Sequence, residues 1–154
     1  MAPFQLFFLL VSLAVFATAW LRGGHTERAG VVILVAAYVA AVMAYPVTLN
    51  GFRLGEAVID VLVLVAFVWL ALRRDRWWTF GAAACAALTM VAHAMVLLTP
   101  DLQLHHVRAD VAARWGIGLL MVVCLAAGVL ERWMAGEIAV SQQARWNTPR
   151  RSAT

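Results

Sequence analysis

The chain has 154 residues, of which 64% are hydrophobic and 13% charged, and its mean hydropathy is +0.85. Soluble domains run at about 45–50% apolar and about 25% charged residues. This composition therefore excludes a soluble globular enzyme, a disordered tail and an ordinary nucleic-acid-binding module, and it describes a chain that lives in lipid.

All 12 basic residues are arginine. They are scattered between apolar runs rather than gathered on one face, which favours charge at a membrane surface over a polyanion-binding patch. Arginine without lysine, beside heavy use of alanine and valine, also fits a GC-rich bacterial genome.

A transmembrane helix needs about 20 mostly apolar residues. Five segments qualify, at 4–21, 29–49, 54–72, 77–99 and 111–134. Membrane strands are excluded, because they alternate polarity over segments of about 10 residues and these runs are apolar on every face. The expected fold is all-α, a five-span bundle over 1–134 followed by a tail over 135–154. The fifth helix is expected to continue into the tail from Glu131 toward Trp146, until Asn147-Thr148-Pro149 stops it.

In the first span, Ala17-Thr18-Ala19 has the small-x-small form of a cleavage site, but residues 1–5 carry no basic group. A retained helix is therefore expected. The second span spaces Ala36, Ala40 and Ala44 four apart, with Ala37 and Ala41 beside them. Such surfaces let helix backbones approach closely in lipid. Pro46 bends or ends this helix, and Asn50-Gly51 marks a tight turn into the third span. The fourth span opens on a second run of small residues, from Gly81 to Ala87. Cys85 and Cys124 form no Cys-x-x-Cys pair, so they are expected to be packing residues. Between the fourth and fifth spans, Leu102, Leu104, Val107 and Val111 alternate with His105, His106, Arg108 and Asp110. That pattern suits a short interfacial helix, placed as a lid.

Arginine placement sets the expected orientation. With the N-terminus outside, nine arginines fall on the cytoplasmic side and three outside, as the positive-inside rule prefers. Trp20, Trp77, Trp78, Trp115 and Trp133 fall at span ends, where interfacial anchors belong. Arg73, Arg74, Arg76, Arg150 and Arg151 then face anionic headgroups or a partner. The expected location is a bacterial inner membrane.

The informative residues are the polar ones inside the spans, because ionisable groups there are costly and are functional candidates by default. Glu56 and Asp60 are four apart on the third helix, with Arg53 three before Glu56. Thr89 and His93 are four apart on the fourth. Folding these helices about Arg73-Arg74-Asp75-Arg76 puts Glu56 level with His93 and Asp60 level with Thr89. At about 1.5 Å per residue, Asp60 and His93 lie about 9 Å inside their outer ends. The expected site is Glu56, Asp60, Thr89 and His93 in the outer half of the membrane, with Tyr45 able to add a hydroxyl.

Three readings of that cluster stand side by side. Asp60 and His93 can simply bond to each other and fix a helix register. A carboxylate beside an imidazole in lipid can also carry protons, although the inner half of the bundle offers no matching ladder beyond Tyr38 and Thr18. Asp101, His105 and His106 on the same outer side add ligand types that suit zinc or copper. Haem is not expected, since His93 has no second histidine at its depth.

From Arg76-Trp77-Trp78 through His93 the chain resembles small uncharacterised polytopic bacterial membrane proteins. These pair an acidic third helix with an Arg-x-Trp start and a histidine in the fourth. The resemblance implies architecture without an assigned activity. Four-helix multidrug exporters are of similar length but carry an essential glutamate in the first helix, and residues 4–21 contain no acid.

The functional expectation is a non-catalytic accessory or scaffold subunit, with no cofactor. It would pack against other membrane proteins or itself in the bilayer and bind no nucleic acid. The alternatives are a proton- or ion-linked small transporter using Glu56, Asp60 and His93, and a metal-binding membrane protein.

Overall fold

In a computed structural model, which describes residues 3–48, 52–98 and 104–137 and, for 3–4 and 104–111, the backbone alone, the chain is all-helical. Its helices are α1 (Pro3–Arg22), α2 (His25–Ala44), α3 (Leu54–Arg73), α4 (Trp77–Leu98) and α5 (Leu104–Met134). All five contain windows long and apolar enough to cross a membrane. Each helix packs on the next in chain order, and α5 returns to α1 and touches α2, so the bundle closes as a ring. The tightest packing joins α4 to its neighbours α3 and α5, and α1 packs loosely on α2.

Three boundaries differ from the sequence expectation, each for a local reason. α2 begins four residues early because Glu27 lies at its third position and accepts a hydrogen bond from the Gly24 backbone N–H at 2.7 Å. That contact satisfies one of the orphan donors of a helix start. α2 also ends at Ala44, short of Pro46, whose ring forbids another turn. The expected interfacial helix between the fourth and fifth spans is helical from Leu104, but it is continuous with α5 rather than separate.

The expected run of α5 into the tail is broken. The helix stops at Met134, and Gly136 adopts φ +69°. The Gly136 and Glu137 N–H groups fold back onto the carbonyls of Trp133 and Arg132, a left-handed glycine cap. The Asn50-Gly51 turn and the Asn147-Thr148-Pro149 stop lie outside the described residues.

The core lies in the half of the bundle nearer the turns at 23–24 and 74–76. Phe67 of α3, Trp78 of α4 and Leu125 of α5 have no exposed surface, and Leu70 and Ala82 are almost as deeply buried. Phe67 and Trp78 meet edge to face, with centroids 6.4 Å apart. Glycine permits this packing. A methyl carbon built on Gly30 of α2 would lie 2.7 Å from Trp78 Cη2. One on Gly128 of α5 would lie 2.6 Å from Cγ and 2.7 Å from Nε1. Trp78 is thus clasped between two helix backbones, where in-lipid packing is strongest.

One of the expected interfacial tryptophans is therefore not an anchor. Trp78 is a core residue, and Trp115 is half-buried against Phe8, edge to face at 4.9 Å. Trp20, Trp77 and Trp133 are exposed, as anchors must be.

Candidate functional site

Of the polar residues of α3 and α4, Asp60 and His93 come together, as one reading of the sequence expects. Asp60 Oδ2 lies 2.8 Å from His93 Nε2. With Asp60 ionised, Nε2 carries the hydrogen and donates it. His93 Nδ1 is buried and has no hydrogen-bond partner among the described residues. The His93 ring also meets Phe52 edge to face at 5.9 Å. Thr89 is not part of this bond: its hydroxyl donates to the Cys85 carbonyl one turn back, a common fate for threonine in an apolar helix.

Glu56 turns away from His93 and is held by two arginines. Arg53 Nη1 donates to Oε1 at 3.0 Å, and Arg114 Nη1 donates to Oε2 at 3.2 Å. The sequence spacing anticipates Arg53. Arg114 is counted in the sequence among the loop charges, although it falls just inside the fifth span expected from 111. In the structure it sits well inside α5 and crosses to α3, with 17% of its side chain exposed. Tyr45 offers its ring face rather than its hydroxyl, with the Arg53 guanidinium 5.1 Å from the ring centroid.

These groups border a cavity of about 410 Å³ in the half of the bundle away from the core. All five helices contribute to its wall. The polar lining is Ser12, Tyr38, Glu56, Asp60, Thr89 and Arg114, and the rest is apolar. A second cavity of about 400 Å³ adjoins it toward Tyr45 and Arg53, sharing Glu56, Arg114 and Trp115. Val63, Met121 and Val122 form the deep wall of the first cavity, and the close-packed layer of Phe67, Trp78 and Leu125 follows behind them.

Beyond that layer is a second polar cluster, which the sequence analysis missed. Glu27 is completely buried. Its carboxylate accepts the Gly24 N–H at 2.7 Å and the Trp78 indole N–H at 3.3 Å, and Arg132 Nη1 of α5 lies 3.8 Å away. Arg132 also reaches Glu137 at 3.1 Å, and Arg76 donates to the same carboxylate at 2.8 Å. The Arg76 guanidinium holds the Glu137 carboxyl below the usual carboxylate range, and the Glu137 hydrogen bond raises Arg76 in return. The signal for this cluster was present in Glu27, three residues after Gly24, a glutamate at the third position of a helix whose cap has no side chain.

Of the arginines expected at headgroups or a partner, Arg76 is occupied by Glu137. Arg73 and Arg74 are exposed, with Arg73 lying over the Trp69 ring at 5.1 Å. Arg150 and Arg151 lie outside the described residues, as do Asp101 and the side chains of His105 and His106. Among the described residues, no three His, Cys, Asp or Glu side chains are grouped to hold a metal ion. Cys85 and Cys124 are free thiols at the α4–α5 contact, where Gly81 makes room for the Cys124 sulfur.

No family model, no curated protein and no solved structure matches this chain. The five apolar helices are compatible with a membrane helix bundle, and the site has to be read from its own geometry.

Proposed function

We propose that the protein is a small non-catalytic subunit of a bacterial inner membrane, with its N-terminus outside and its C-terminus in the cytoplasm, that packs with other membrane proteins or with itself. One observation carries this reading: the acids of the spans are used to tie helices together. Glu56 of α3 reaches Arg114 of α5, Asp60 of α3 reaches His93 of α4, and Glu27 of α2 reaches Trp78 of α4 and Arg132 of α5. Groups committed to such pairs fix a shape rather than turn over a substrate. The broad apolar faces of α2 and α3, with Val32, Val39, Val61 and Leu62 exposed, are left for lipid or another helix.

Solubilisation in a mild detergent, followed by mass measurement of the intact particle, tests this. A particle holding a second copy or a companion subunit at fixed stoichiometry is expected; a lone chain across several gentle detergents would sink the proposal. A reporter fused to the C-terminus is expected on the cytoplasmic side.

Proton- or ion-linked transport remains a second reading, favoured by the placement of Glu56 and Asp60 on the wall of a cavity. It requires the layer of Phe67, Trp78 and Leu125 to open. The variants Asp60→Asn and His93→Ala separate the two. Impaired assembly with unchanged proton flux in liposomes supports the subunit; normal assembly with lost flux supports the carrier.

A further inference from the structure

We infer that the cavity in the half of the bundle away from the core binds a lipophilic small molecule with an uncharged hydrogen-bonding head, entering sideways from the bilayer between α1 and α2. Size, access, charge and an unmet hydrogen bond lead to this independently of what the protein assembles with.

The volume of about 410 Å³ falls within the range of about 300–1,000 Å³ typical of small-molecule sites. Such sites are mostly apolar with a few convergent polar groups, which is the character of this wall. Leu13 of α1 and Val35 and Tyr38 of α2 line the cavity and are 54%, 42% and 58% exposed. Such exposure along its wall marks an opening. It lies where α1 packs loosely on α2, near the middle of two helices long and apolar enough to cross a membrane. An apolar body can therefore enter without crossing water.

The charges select against an ionic head. Glu56 and Asp60 are the carboxylates on the wall, and Arg114 and Arg53 both bind Glu56 while His93 binds Asp60. These two carboxylates and two guanidiniums balance, so an ionic head would add an unbalanced charge to a largely apolar site, which is costly. A neutral donor or acceptor adds none.

Ser12 supplies the hydrogen bond. It is 6% exposed and lines the cavity, and its Oγ has no hydrogen-bond partner among the described residues. A serine in an apolar helix ordinarily bonds to a carbonyl of the preceding turn, as Thr18 and Thr89 do here. A buried hydroxyl left without a partner is costly unless a ligand or water completes it. Ser12 and Tyr38 thus flank the entry with hydroxyls, while Phe8, Phe16 and Leu34 pack the apolar body.

The test uses the full chain in lipid nanodiscs with three probes of equal chain length, each bearing a mid-chain diazirine: hexadecanol, palmitic acid and hexadecyltrimethylammonium. The result expected is saturable photolabelling by the alcohol, mapped to α1, α2 and α5 and competed by unlabelled hexadecanol. Labelling by the two charged probes should be at least tenfold weaker at the same concentration. Ala37→Phe, which places a ring in the cavity, is expected to abolish the saturable component. Ser12→Ala, which removes only an oxygen, should weaken it several-fold while the thermal unfolding of the bundle is unchanged or raised. Labelling that does not saturate, or that persists in a folded Ala37→Phe protein, would mean contact with bulk lipid only and overturn the inference. Preferential labelling by palmitic acid or by the ammonium probe would overturn the uncharged head.

Discussion

The substitution Gly128→Ala should destabilise the bundle out of proportion to the single methyl group it adds. The methyl would lie 2.6 Å from Trp78 Cγ and 2.7 Å from Nε1, and it meets the indole near Cδ1 as well. Ordinary carbon contacts lie at about 3.5–4.0 Å, so the ring must retreat by about 1 Å. It has nowhere to go. Trp78 is fully buried, Gly30 presses on its far edge, and Phe67 stands edge-on beside it. Overpacking of this kind costs about 1–3 kcal/mol. Displacing the indole also stretches its 3.3 Å bond to Glu27, adding about 1 kcal/mol. Unfolding in a mixed-micelle titration, followed by tryptophan emission, gives the stability difference. The cause is checked by repeating the substitution in a Trp78→Leu background, where most of the penalty should vanish. A folded Gly128→Ala protein as stable as its parent, or a penalty unchanged without the indole, would refute the clasp between α2 and α5.

Three further outcomes follow from the same contacts. Glu27→Ala removes a buried acceptor from Gly24, Trp78 and Arg132 together and should cost about 3–5 kcal/mol, as breaking a buried charge pair does; Glu27→Gln keeps an acceptor for the indole and should cost less in the same titration. The Arg76–Glu137 pair depresses the Glu137 carboxyl, so its contribution is complete above the usual carboxylate range and disappears as pH falls through the lowered value. Since Glu137 is more than a third exposed, that contribution is at most about 1 kcal/mol; stability measured from pH 8 to 5 should show no step from it, and Arg76→Gln should flatten only the acid limb. His93→Leu removes the Asp60 partner and should cost about 0.6–2 kcal/mol, with Asp60→Asn milder, by thermal unfolding in detergent.

The spans were legible because lipid leaves little choice: twenty apolar residues in a row can only be helical across a membrane. The ends of the helices were less so. Leu104–Val111 reads as a separate interfacial helix, yet the backbone there is already α5, and Arg114, counted as a topology signal, is the partner of Glu56. The Asp60–His93 bond, one of the readings the sequence leaves open, is the one the structure makes. Level matching also put Glu56 opposite His93, because it fixes the height of a residue and not its rotation about the helix axis. Trp78 was illegible for a related reason, and the one signal for Glu27, its place three residues after Gly24, was easily passed over. Each lies at a span end, where a tryptophan ordinarily anchors and a glutamate is ordinarily solvated, and only the two glycines facing the indole reveal that this end is closed.

The apolar layer of Phe67, Leu70 and Leu125 separates two sets of charges at opposite ends of one small bundle. In a membrane that carries a voltage, the potential would drop most steeply through such an apolar layer, and each full charge moved across 100 mV is worth about 2.3 kcal/mol. Glu56, Asp60, Glu27 and Glu137 are each held by a partner, so a voltage would have to break those pairs before it could carry a charge through the layer.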